Sequence, residues 1–233
     1  IKLAYANNLK GPWTVVIGGT LHLRESHFLT ENPKIPHDFD IDTLGVRDAH
    51  KDLIEHIPHK IDDLTIPHIA SPDVHIDNQK KRFIMYFHGL DEFGLQKTRV
   101  AESKDGLNFQ VKKKIVGWPY FRKFIYKNKN FAMSMPGIIY EGSEEIDDFS
   151  IVNQIMEEEA RHSAVLVNGD RLLIFYTRKG DAPERILLRT VDLTFPVSEW
   201  KATKPIEVLK PEKEWEGALL PNHKSVASAI NTP

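Results

Sequence analysis

Three carboxylates stand where they could share acid–base chemistry. Asp73 opens the run Ser71-Pro72-Asp73-Val74-His75-Ile76-Asp77, which is followed at once by Arg82-Phe83-Ile84-Met85-Tyr86-Phe87-His88-Gly89. Glu184 sits in Gly180-Asp181-Ala182-Pro183-Glu184-Arg185, and Glu216 in Trp215-Glu216-Gly217. Carboxylates held around one reacting centre can divide the work, one donating a proton and the other accepting it. Arg122 beside Asp73 would favour the charged form, which suits an orienting or base role better than an acid role. Arg161 and His162 follow the acidic run Glu157-Glu158-Glu159 and could orient a carboxylate or contact hydroxyl groups. Each residue also has a plainer reading. Asp73 could cap a turn, Glu184 could pair with Arg185, Asp181 could stabilise its own glycine-containing turn, and Glu216 could be a solvated loop acid.

The elements that must carry these residues read as strands. Val74 and Ile76, then Phe83, Met85 and Phe87, alternate as in a hairpin with at least one buried face. His75, alternating with Val74 and Ile76, is expected to lie away from Asp73's neighbours. Similar hairpins recur at Tyr120–Met135 and Arg161–Arg178, the latter around Asn168-Gly169-Asp170. A second pattern, strand then polar turn then aromatic, recurs before Trp13, Phe109, Phe149 and Trp200. A hairpin, a third strand and a fourth (Val111–Val116; Ala202–Leu209) make a unit of about 40–50 residues, the size of a propeller blade.

On this reading residues 1–24 are the outer strands of a first blade. An insertion occupies 25–65, with a short amphipathic helix expected over Thr43–Ile57. Blades follow at 67–116, 117–150 and 160–210, and residues 211–233 lead toward another. The expectation is a single propeller domain truncated at both ends, because an open ring would expose sheet edges. In a blade the first strand starts on the ligand-binding face, and the turn after the second strand returns to it. Asp73, Tyr120, Arg122, Arg161 and His162 should therefore converge with His88, Asp181 and Glu184, and Trp118 with Tyr120 could form a stacking platform.

Composition narrows the function classes. The chain has 233 residues, no cysteine and a formal net charge of −2, so thiolate chemistry is excluded and nothing draws it to nucleic acid. No apolar run approaches the roughly 20 residues of a membrane helix. Lys112-Lys113-Lys114 reads as a solvated outer strand. The 11 histidines include His56, His59, His68, His75 and His88, but Pro58 breaks any helix between the first two and no spacing specifies zinc. No metal ligand is assigned. No pattern assigns a compartment or an oligomeric state.

Ser71-Pro72-Asp73-Val74 and the third strand Arg99-Val100-Ala101-Glu102-Ser103-Lys104-Asp105-Gly106-Leu107-Asn108-Phe109 resemble the second blade of the five-bladed propeller glycoside hydrolases, the clan around families 43, 32, 62 and 68. Met85-Tyr86-Phe87-His88-Gly89-Leu90, Ala132-Met133-Ser134-Met135-Pro136-Gly137, Arg161-His162-Ser163-Ala164-Val165 and Gly180–Leu188 resemble a bacterial group of family 43-like proteins. The resemblance runs through essentially the whole chain.

It implies an all-β, five-bladed β-propeller, of which about three and a half blades are present. It also implies a carbohydrate partner and three inner-strand carboxylates: a general base, an orienting acid and a general acid. Only the orienting acid carries over, to Asp73. The third blade opens Pro119-Tyr120-Phe121-Arg122, with no carboxylate where the clan has Glu-Gly. Glu184 and Glu216 are the candidates for the missing catalytic acid, with His88, Tyr120, Arg122, Arg161, His162 and Asp181 as substrate contacts. No cofactor is expected, apart from the single axial Ca²⁺ that the resemblance allows. The function expected is hydrolysis of a furanoside or pyranoside by carboxylate acid–base catalysis. The alternative is a non-catalytic carbohydrate-binding propeller.

Overall fold

The computed structural model describes residues 1–34 and 65–222. The helix expected over Thr43–Ile57 and the His56 and His59 pair lie outside the described residues. Two short strands, β1 (Ala4–Tyr5) and β2 (Thr14–Val15), pair near the start of the chain. The other twelve form three four-stranded antiparallel sheets, each a meander in chain order. The first contains β3 (Ile69–Asp77), β4 (Arg82–Glu92), β5 (Leu95–Ser103) and β6 (Gln110–Val111). The second contains β7 (Arg122–Tyr126), β8 (Lys129–Ser134), β9 (Ile138–Gly142) and β10 (Phe149–Gln154). The third contains β11 (Ala160–Asn168), β12 (Arg171–Arg178), β13 (Ile186–Asp192) and β14 (Ile206–Leu209).

Local chemistry sets the turns. After β5, the Asp105 carboxylate accepts the Leu107 and Asn108 N–H groups, each at 2.8 Å, while Gly106 takes a φ of +74° that other side chains rarely adopt. The short β6 is prolonged by single bonds, Lys112 N–H to Val100 O at 2.8 Å and Val116 N–H to Thr98 O at 2.9 Å. A ladder shift between Ile151 and Asn153 carries β10 on to Gln154, past the boundary expected at 150.

The core sits between sheets, so β4 is buried on both faces and loses its apolar–polar alternation. Ile84 and Tyr86 pack with Val100, Phe121, Ala132 and Tyr140 toward the second sheet. Met85 and Phe87 pack the other way, with Leu21, Phe28 and Ala101. A third cluster joins Phe124, Phe131 and Met133 of the second sheet to Leu172, Ile174 and Trp200. Of the recurring aromatics, Trp200 is 3% exposed and Phe109 and Phe149 pack against the other two clusters, whereas Trp13 is 56% exposed.

β3 alternates as expected, but with the apolar residues on the exposed face. Val74 and Ile76 are 52% and 67% exposed, and the half-buried positions are the polar Asp73, His75 and Asp77. β3 is the edge of its sheet, and the side it turns toward β7 carries polar groups rather than core.

Gly89 in β4 fills a gap that admits nothing larger. A Cβ there would lie 2.5 Å from Phe28 Cδ2 and 2.6 Å from the His68 carbonyl oxygen. Gly89→Ala is expected to lower stability by about 1–3 kcal/mol. An unchanged urea midpoint would contradict the packing described for this strand.

Candidate functional site

The starts of the three edge strands β3, β7 and β11 share one irregularity. Ser71 (φ 52°), Tyr120 (φ 58°) and His162 (φ 51°) all adopt left-handed backbone conformations. The β3–β4 ladder slips between Ala70 and Asp73, and the β11–β12 ladder between Arg161 and Ala164. Such bulges re-aim side chains. Left-handed non-glycine residues persist only where their surroundings over-determine them, commonly at functional sites.

The three strand starts meet. Arg122 donates from Nε to Ser163 O at 2.8 Å, and from Nη1 to Ser71 O at 3.1 Å and Phe121 O at 3.4 Å, so one side chain bridges all three sheets. The Tyr120 ring centre lies 4.7 Å from that of His88 and 5.0 Å from that of His162. His88 is 3% exposed, and its Nδ1 accepts the Tyr120 N–H at 3.4 Å, which holds Tyr120 in its unusual conformation. Burial, helped by His68, Arg122 and His162, pulls the His88 pKa down to about 3, so the ring is neutral.

That pKa has a consequence for acid stability. The unfolded chain takes up this proton near the ordinary value of 6.5, whereas the folded chain resists it until about 3. A depressed histidine therefore costs stability as pH falls through that window, at up to about 1.4 kcal/mol per unit. His88→Asn keeps an acceptor near the Nδ1 position but does not titrate. Between about pH 6.5 and 5, urea unfolding of the wild type is expected to lose about 2 kcal/mol more than the variant does. Parallel profiles would contradict the assignment.

Asp73 is tied rather than free. Its Oδ2 accepts the Lys123 N–H at 2.8 Å and lies 2.7 Å from His75 Nε2, linking β3 to β7. His75 is thus Asp73's partner, contrary to the expectation that it lies elsewhere: residues two apart in a strand share a face. Arg122, expected beside Asp73, directs its hydrogen bonds to backbone carbonyls instead.

Glu184, on the turn between β12 and β13, joins the cluster. Its Oε1 lies 3.7 Å from His162 Nδ1 and 3.8 Å from Arg161 Nε. His162 foremost, with Thr177 and Arg161, lowers its pKa to about 2 in spite of burial. A carboxylate held so firmly in the charged state suits a base or orienting role. A general acid at neutral pH needs the opposite shift.

The remaining candidates do not join this set. Asp181 accepts from Arg178 Nε at 3.1 Å and Nη2 at 2.9 Å, and so braces its own turn. Glu216 accepts the Glu212 N–H at 2.8 Å and the Lys213 N–H at 3.0 Å, capping the 3₁₀ turn Glu214–Glu216. Among the described residues no contact joins Glu216 to Asp73 or Arg122. Lys97 Nζ sits 3.2 Å from the Trp118 ring centre, covering a face that a stacking platform would need. The structure adds Ser71, His75, Lys123, Ser163 and Thr177 to the site. Only His75 carried a legible signal, its two-residue spacing from Asp73. The others enter through backbone atoms or through folding that residue type does not reveal.

Among the described residues, no group of three or more His, Asp or Glu side chains could hold a metal ion, and no helix is long and apolar enough to cross a membrane.

No family model matches the chain. An uncharacterised protein of Acanthamoeba polyphaga mimivirus is 30% identical over 253 residues, a match that takes in 100% of this chain and 63% of the relative. The solved structure of Bacteroides ovatus xyloglucan PUL GH43B matches 90% of this chain with a TM-score of 0.52 at 11% identity. The fold is a β-propeller. Its blades are the three four-stranded sheets, and the cluster around Arg122 lies where their first strands begin. An exo-β-1,3-galactanase of Clostridium thermocellum matches 60% of this chain with a TM-score of 0.48 at 13% identity. The chain spans 63% of the length of the viral relative and 36% of each of these two solved chains.

Proposed function

We propose that the funnel binds a glycan and that the chain forms the propeller of a glycoside hydrolase acting on a furanoside or pyranoside. The observation that carries this reading is convergence. Asp73, tied to the Lys123 N–H next to Arg122, and Glu184, beside Arg161 and His162, come from separate blades whose strand starts Arg122 bridges. Glycosidic hydrolysis uses two carboxyl groups, roughly 5–5.5 Å apart for retention of configuration and roughly 6.5–9.5 Å apart for inversion. Glu184, held charged, is the candidate to activate water. Asp73, gripped by His75 and the Lys123 N–H, is the candidate to orient substrate.

One observation favours the second reading, a binding propeller without catalysis. Pro119-Tyr120-Phe121-Arg122 brings no carboxylate to the start of the second described sheet, and Glu184 is held charged rather than ready to donate a proton. The test is to incubate the full chain with a panel of aryl furanosides, aryl pyranosides and plant-type oligosaccharides, following released sugar and, by calorimetry, binding. Release supports the hydrolase. Binding with no release over long incubation supports the binder. The absence of both release and binding would refute the carbohydrate reading.

A further inference from the structure

Arg122 stands apart from the other arginines. Arg82, Arg99, Arg161, Arg178, Arg185 and Arg189, all buried or half-buried, each lie within ion-pair distance of a carboxylate. Among the described residues Arg122 alone is half-buried with none, and its partners are three uncharged carbonyls. Nη2 donates to no protein atom among the described residues. Asp73 is near enough to be felt electrostatically, but its Oδ2 is held by His75 and the Lys123 N–H. Glu184 faces Arg161 and His162 instead.

A second observation lies in the same place. Ser163, whose carbonyl receives Arg122 Nε, is 7% exposed, and its hydroxyl has no hydrogen-bond partner among the described residues. A desolvated cation without a contacting anion and a buried hydroxyl without a partner both lower stability until something fills them. The planar guanidinium fork is shaped for carboxylate, sulfate or phosphate oxygens.

We propose that the funnel selects a negatively charged sugar, whose anionic group is received by Arg122 with the Ser163 hydroxyl alongside. This rests on the carbohydrate reading above and narrows it to acidic glycans. An anion on a charge-assisted pair is expected to gain about tenfold to a hundredfold in affinity over its uncharged analogue. The gain should shrink as salt screens it.

The test is calorimetric titration of the full chain at low salt with matched probes. These are digalacturonate and its methyl ester, galactose 6-sulfate, galactose 6-phosphate, galactobiose, and inorganic sulfate and phosphate. Preference for digalacturonate over its ester supports a uronate site. Preference for the sulfated or phosphorylated sugar over galactobiose supports the same site with that anion. Arg122→Lys keeps the charge without the fork and should reduce the preference several-fold, its folding being checked by urea unfolding. Charged and neutral sugars binding alike would overturn this proposal and leave the carbohydrate reading standing. Inorganic sulfate or phosphate binding as tightly as the charged sugars would overturn it in favour of a simple anion site. No binding by any sugar would refute both.

Discussion

A chain carrying Tyr86→Ala is expected to lose about 3–5 kcal/mol of folding stability, a large part of the 5–15 kcal/mol typical of a domain. Tyr86 is 0% exposed and reaches from β4 into the next blade. Its ring centre lies 5.2 Å from that of Phe121 and 6.0 Å from that of Phe149, and its hydroxyl donates to Ile146 O at 3.0 Å. Burial foremost, with the nearby Asp73 charge, pushes the phenol pKa far above its ordinary value, so the hydroxyl stays a donor at any working pH. Alanine removes the ring from a junction whose other members are strands and cannot close the gap. Tyr86→Phe keeps the ring but leaves Ile146 O unpaired, for a smaller loss of about 1–2 kcal/mol. Urea unfolding of the two variants separates packing from hydrogen bonding. An alanine midpoint within error of the wild type would show that the blades do not lean on each other here.

The second large effect is at Asp73, where charge and tie can be separated. Asp73→Asn retains an acceptor for the Lys123 N–H but removes the charge. Asp73→Ala removes both. If Asp73 orients substrate in a hydrolase, the asparagine variant should lose about a hundredfold or more in kcat/KM while its urea midpoint moves little. The alanine variant should lose the same activity and, in addition, about 1–2 kcal/mol, because the half-buried Lys123 N–H loses its acceptor and β3 is released from β7. In a binding propeller the asparagine loss would appear in Kd instead. Wild-type turnover and wild-type affinity in Asp73→Asn would reduce Asp73 to a strap between blades.

The blades were legible because their contacts are close in sequence. The turns at Asp105-Gly106 and Asn168-Gly169-Asp170 and the aromatics Phe109, Phe149 and Trp200 each belong to a single meander, where local periodicity carries the information. Placing strand starts and second turns on one side leads to the expectation that Asp73, Tyr120, Arg122, Arg161, His162, His88, Asp181 and Glu184 converge, of which Asp181 braces its own turn instead.

Finer points depended on partners far along the chain. The alternation of Val74 and Ile76 marks a strand but not which face another blade will cover, and those two residues are exposed. That Asp181 braces its turn is one of two readings its sequence allows, but nothing in sequence shows that Arg178 reaches it, or that the Lys213 N–H reaches Glu216. Arg122 takes carbonyls of Ser71 and Ser163 rather than Asp73, a choice made by backbone positions that no side-chain pattern encodes. The left-handed conformations of Ser71, Tyr120 and His162 are similarly hidden, since none of these residues is glycine.

An amide-resolved NMR titration of the full chain with the oligosaccharide panel decides whether these strand starts form a carbohydrate site. Saturable shifts are expected to concentrate at Ser71, Asp73, Tyr120, Arg122, His162 and Glu184, with little change along the outer strands β6, β10 and β14. Shifts confined to the outer strands, or none with any sugar, would contradict a carbohydrate site there.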